Sequence, residues 1–154
     1  MIKQSSLDAL VARDEIRALR SRYSFHFDNG DAQSLAALFC VDAICQFGPD
    51  FGGDWVGRDI IQDRYNQFIA NRPVKRTAML HLATNDWIEL QTPVAARGQW
   101  YFTVVKSGPV GTLPYIFMAG TYDDLYIKED ETWLISPDYS SDGLFTVGER
   151  SLTC

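Results

Sequence analysis

Histidine is the side chain whose ordinary pKa lets it trade protons near neutrality, and this 154-residue chain has two, His26 and His81. His81 stands in Met79-Leu80-His81-Leu82-Ala83-Thr84-Asn85, an otherwise apolar stretch at the start of a predicted strand. Burying an imidazole without a partner costs a few kcal/mol, so a partner is expected. Asp28 is the carboxylate whose surroundings ask for one in turn. It follows Tyr-Ser-Phe-His-Phe at the end of a predicted helix, among aromatics and at the negative end of the helix dipole. Two readings of Asp28 stay open: a turn residue in Asp28-Asn29-Gly30-Asp31, or an inward-facing partner of His81. In the second, the carboxylate holds one ring nitrogen, fixes the tautomer and leaves the other nitrogen free to take a proton. His26 is shifted off the Tyr23/Phe27 face and is expected to be partly exposed.

Other chemistries lack their residues. Gly52-Gly53 has no following helix and lysine for a phosphate loop, and no serine sits in a Gly-x-Ser-x-Gly context. No His/carboxylate spacing suits a metal, and there is no dinucleotide fingerprint, so neither a metal nor a cofactor is expected. Cofactor-free acid–base chemistry is what remains. Cys40, Cys45 and Cys154 form no CxxC pair; the first two are expected to be small buried hydrophobes. Their odd number, with no signal-peptide pattern, points to a cytoplasmic location. A net charge of −6 argues against nucleic acid and anionic membrane surfaces as partners. The longest apolar runs fall far short of the ~18 residues of a membrane helix.

The elements that must position Asp28 and His81 can be read from periodicity. Leu7, Leu10, Val11, Ile16, Leu19, Tyr23 and Phe27 recur at helical spacing, and Asn29-Gly30 supplies a left-handed stop. Asp31 caps a short second helix through Leu35, Leu38 and Phe39. A strand at Ile44–Phe47 and a strand and turn at Trp55–Arg58 follow, then a helix from Asp59 to about Ala70 with Ile60, Ile61, Tyr65, Phe68 and Ile69 inward. Thr77–Leu90, Val94–Lys106, Leu113–Lys128 and Thr132–Asp138 are four β-rich runs joined by turn signals. Helices first and hairpin-linked strands afterwards is an α+β order. A mixed or antiparallel sheet must curl around three helices to bury one face, which makes a cone with a cavity. One domain is expected over 1–154, with its core at about 8–140 and a tail at 141–154.

The series Asp14-Glu15-Ile16-Arg17, Asp28-Asn29-Gly30-Asp31, Leu35-Ala36-Ala37-Leu38-Phe39, Asp42-Ala43, Gly57-Arg58, His81-Leu82-Ala83-Thr84-Asn85 and Gly120-Thr121-Tyr122-Asp123-Asp124 resembles the SnoaL-like branch of the nuclear-transport-factor-2-like superfamily. Within it the chain looks most like the group containing scytalone dehydratase, bile acid 7α-dehydratase and hexachlorocyclohexane dehydrochlorinase. The resemblance implies an aspartate–histidine dyad on Asp28 and His81, a tyrosine at Tyr23, and a homodimer or homotrimer. The dehydrochlorinase carries basic residues where this chain has Tyr23 and Asp138, so the likeness favours a hydroxyl leaving group or an internal proton shift over loss of chloride.

The resulting expectation is a dehydratase (a lyase) or isomerase acting on a hydrophobic polycyclic, terpenoid or aromatic molecule. His81 would remove a proton beside a carbonyl while Tyr23 donates to the oxygen that gains charge. The apolar walls would come from Phe27, Phe47, Trp55, Tyr65, Trp100, Phe102, Phe117 and Met118, with Asp138 nearby. Alternation leaves open whether Trp100/Phe102 or Gln99/Tyr101 faces inward, and Trp87, Tyr122 and Tyr126 are expected on the outer face. Two other uses of such a cone compete: a non-catalytic binding or assembly subunit, and an epoxide hydrolase or polyketide cyclase, the hydrolase built on Arg97 and Asp138.

Overall fold

A computed structural model of the protein describes residues 4–46, 52–71, 79–107 and 113–136. Phe47, Asp138, Cys154 and the tail therefore lie outside the described residues. The elements in chain order are α1 (Gln4–Asn29), α2 (Ala32–Ala36), β1 (Ile44–Cys45), β2 (Trp55–Val56), α3 (Arg58–Ala70), β3 (Met79–Thr92), β4 (Ala95–Lys106), β5 (Tyr115–Glu129) and β6 (Thr132–Ile135). The last four strands pair in sequence order as one antiparallel sheet, and β1 pairs with β2 alongside. The fold is α+β, and no parallel pairing joins the named strands; one parallel bridge, Phe39 to Ile135, ties the segment after α2 to β6.

Helix α1 buries Ile16, Leu19, Tyr23 and Phe27 against the sheet, as their spacing requires. The same stripe was expected to include Leu7, Leu10 and Val11, but these are 47%, 56% and 48% exposed. The first turns of α1 border an open groove beside Leu90, Thr92 and Pro93 instead of being covered. Ile60 of α3, expected inward, is likewise 48% exposed, whereas Ile61 and Tyr65 are buried. At its other end α1 stops as Asn29-Gly30 demands. Gly30 takes φ +74°, its N–H reaches the Phe27 carbonyl, and the Asp31 N–H reaches that of His26. That pair of bonds is a Schellman motif, and it leaves Asp28 one residue short of the end of α1. Asp31 then accepts the Ser34 N–H at 3.0 Å as the cap of α2.

Two features bend the sheet around the helices. Strand β3 carries a bulge between Thr84 and Trp87, with Asn85 at φ +53°, which adds twist. On the inner face, glycines make room for rings: a Cβ on Gly120 would lie 2.9 Å from the Phe102 ring, and one on Gly98 2.8 Å from that of Tyr126. The face of β4 left open by alternation is thereby decided. Ala96, Trp100, Phe102 and Val104 are buried, while Tyr101 is 60% exposed. The expectation for β5 is corrected: Tyr126 is buried and Tyr122 packs against the core, on the inner side with Gly120, and of the three aromatics placed outside only Trp87 is exposed.

Candidate active site

The Schellman stop of α1 and the start of β3 bring Asp28 and His81 together. Asp28 Oδ1 lies 2.5 Å from His81 Nδ1, and Oδ2 accepts the His81 backbone N–H at 3.0 Å. Both oxygens of one carboxylate thus hold one residue, so the ring cannot turn without breaking a charge-assisted bond. The contact requires a proton between Nδ1 and the carboxylate. In the neutral imidazole the lone pair then sits on Nε2, which has no hydrogen-bond partner among the described residues. The Phe27 ring packs on the imidazole with centroids 4.3 Å apart.

His81 opens onto a cavity of about 180 Å³. Of the expected wall, Tyr23, Phe27, Trp55, Tyr65, Phe102, Phe117 and Met118 line it. Asp28 stands behind His81 and does not line it. Trp100, also expected there, does not line it: its indole N–H is given to the Tyr126 hydroxyl at 3.1 Å. Sequence reasoning missed Phe68, Met79, Val104, Lys106 and Tyr122, which complete the wall. Phe68 lay in the inward stripe already assigned to α3, and Lys106 was hidden at a strand end where lysines are ordinarily solvated.

The Tyr23 and Tyr65 hydroxyls are 2.7 Å apart at the cavity wall. Burial pushes both phenols well above their ordinary pKa, so they act as protonated donors. One hydroxyl donates to the other, and the second keeps a proton to offer. Burial also pushes Tyr122 up to about 12, partly offset by Arg20.

Beyond the cavity lies a second polar cluster. The buried Arg20 guanidinium stacks 3.5 Å from the Tyr122 centroid and 4.6 Å from that of Tyr23. Its Nη2 lies 3.4 Å from Asp124 Oδ2, which also accepts the Tyr126 hydroxyl at 2.6 Å. Arg20 Nε is buried without an acceptor among the described residues. None of Arg20, Asp124, Tyr126 or Trp100 lines the cavity. Cys40 and Cys45 are free thiols, and burial raises both. Arg97 faces the opposite side of β4, ion-paired with Asp123 at 2.5 Å, so it cannot serve a cavity water as an epoxide-opening set would need. His26 is partly exposed, 3.8 Å from Asp31. Among the described residues no group of three or more His, Cys, Asp or Glu could hold a metal, and no helix is long and apolar enough to cross a membrane.

Solved structures share this architecture. One is a protein of Novosphingobium aromaticivorans named provisionally as a scytalone dehydratase, 20% identical, with 93% of this chain and 97% of that chain covered at a TM-score of 0.70. Another is a hexachlorocyclohexane dehydrochlorinase, 22% identical over 84% and 83% of the two chains, TM-score 0.66. A third, from Mycobacterium tuberculosis and of unknown function, is 23% identical over 82% and 69%, TM-score 0.69. At such identities the likeness shows the fold alone. No curated protein matches the sequence. The model of the SnoaL-like domain matches residues 8–137, which takes in both residues of the dyad and every described residue of the cavity wall, and the chain belongs to that family.

Proposed function

We propose that the protein is a cofactor-independent acid–base enzyme, a dehydratase or isomerase, acting on a hydrophobic small molecule. His81 Nε2 removes a proton from carbon beside a carbonyl, and Asp28 steadies the imidazolium that forms. Tyr23, backed by Tyr65, donates to the oxygen that gains charge or to the departing hydroxyl. The observation that carries this reading is the 2.5 Å Asp28–His81 contact at the wall of an apolar cavity, with Nε2 free of partners among the described residues. The largely apolar, aromatic lining lowers the local dielectric, which strengthens each of these interactions. The family and the dehydratase and dehydrochlorinase among its structural relatives support elimination chemistry.

Size narrows the substrate. A cavity of about 180 Å³ compares with the ~150 Å³ that holds a benzene in an engineered protein cavity, so one or two rings fit within the described wall. The test is hydrogen–deuterium exchange in D2O on a panel of one- and two-ring ketones and hydroxyketones. His81→Ala and Asp28→Asn should each lower the rate by about 10²–10⁴-fold. Full rates in both variants would discard the mechanism.

A further inference from the structure

Lys106 is the one side chain with a fixed charge among the described residues lining the cavity. Its place follows from register. Val104 pairs with His81 and Lys106 with Met79, so Lys106 and His81 are diagonal neighbours on the inner face, their Cβ atoms about 7 Å apart. The Lys106 Nζ lies 3.3 Å from the Phe117 ring centroid. The contact tethers the ammonium over the ring face without neutralising it, because a π face attracts a cation but accepts no full proton bond. No carboxylate of the described residues pairs with it, whereas Lys128 pairs with Glu15 and Glu131. Partial burial lowers the Lys106 pKa.

We infer that the site selects an apolar molecule bearing a carboxylate, held by Lys106 about one ring away from the carbon that His81 deprotonates. The inference rests on the acid–base reading above and names its substrate class. An uncharged terpenoid or arene would leave the ammonium partly desolvated and unanswered. A carboxylate restores its hydrogen bonds, and charge-assisted bonds are roughly twice as strong as neutral ones. Apolar walls then supply the affinity and the lysine the discrimination. A carboxylate so placed also orients the ring, so that only one edge of it reaches Nε2.

A matched pair of probes tests this: 2-naphthoate and 2-naphthamide, of nearly the same shape and differing in charge, titrated into the full chain by calorimetry. The wild type should bind the naphthoate about tenfold more tightly. Lys106→Met should remove the preference, Lys106→Arg retain most of it, and Lys106→Glu reverse it. Equal binding of the two probes by the wild type, a preference that survives Lys106→Met, or binding of neither probe at millimolar concentration would overturn the inference. Because the readout is affinity, it separates from the chemistry. A lysine-dependent naphthoate preference with no exchange activity on any ketone would leave Lys106 standing and remove the enzyme. His81-dependent exchange with no charge preference would do the opposite.

Discussion

Asp28 and Asp124 face the interior from opposite sides of the same arrangement. In one, α1 supplies the acid and β3 the base; in the other, α1 supplies the cation, Arg20, and β5 the acid. They differ in what lies next to them. The His81 imidazole opens onto the cavity and keeps a nitrogen with no partner among the described residues, whereas Arg20 is buried against Tyr23 and Tyr122 and neither it nor Asp124 lines the cavity. An ion pair away from the cavity wall offers no proton to a ligand in the cavity, and its role is to let a helix and a strand share a charged seam. A pair at a cavity wall is spared some desolvation cost and gains a reaction partner. The first therefore belongs to stability and the second to chemistry, although both are made of a carboxylate and a nitrogen base.

Substitutions should divide along that line. His81→Ala is expected to lower turnover by about 10²–10⁴-fold while shifting the thermal midpoint little, because the imidazole lies at the cavity wall and not in the packed core. Arg20→Met should act in the opposite sense. It strands the Asp124 carboxylate in a place where burial already raises its pKa, and unfolding by denaturant should report a loss of about 3–5 kcal/mol. Arg20→Met/Asp124→Asn should recover part of that loss, since the charge is gone along with its partner; a double variant no better than the single would show that packing of Arg20 on the tyrosine rings carries the effect. Tyr126→Phe takes away the donor to Asp124 and the acceptor of the Trp100 indole, and about 1–3 kcal/mol should follow.

The smallest effect lies on the outer face. Arg97 holds the Asp123 carboxyl below the ordinary carboxylate range through its hydrogen bond, opposed in part by desolvation. The unfolded chain then takes up the proton first as pH falls. The contribution is complete above about pH 4 and fades as pH drops through the lower folded value. With Arg97 47% exposed, it should amount to a few tenths of a kcal/mol, and Arg97→Gln should flatten that acid limb in stability measured against pH.

Much of this is written in the sequence, for definite reasons. Asn29-Gly30 can hardly be anything but a left-handed stop, so the end of α1, and with it Asp28, is placed by two residues. The strand order follows from short turn signals between long β runs. What could not be read is which face of β5 turns inward. Tyr122, Asp124 and Tyr126 alternate together, and an inward aspartate looks forbidden until its cation is known. That cation, Arg20, comes from a helix about a hundred positions earlier, beyond the reach of any pattern within the strand. Trp100 was named among the wall residues while the inward face of β4 stayed open; it lies on the inner face but not in the cavity wall, because alternation gives no depth along the strand, and Tyr126 claims its N–H. Lys106 escaped notice for the reverse reason: a terminal lysine reads as solvent-facing, and only the register with Met79 turns it in.

Helix α1 acts as a fixed-length gauge between the two clusters. Each residue added to or taken from an α-helix rotates everything beyond it by about 100°. A single deletion between Arg20 and Asp28 would therefore leave one of them pointing away from its strand, whichever way the helix settled. Turns elsewhere in the chain can change length and only lengthen a connection. This stretch cannot, and the distance along it, counted in residues, couples the integrity of the fold to the aim of the base.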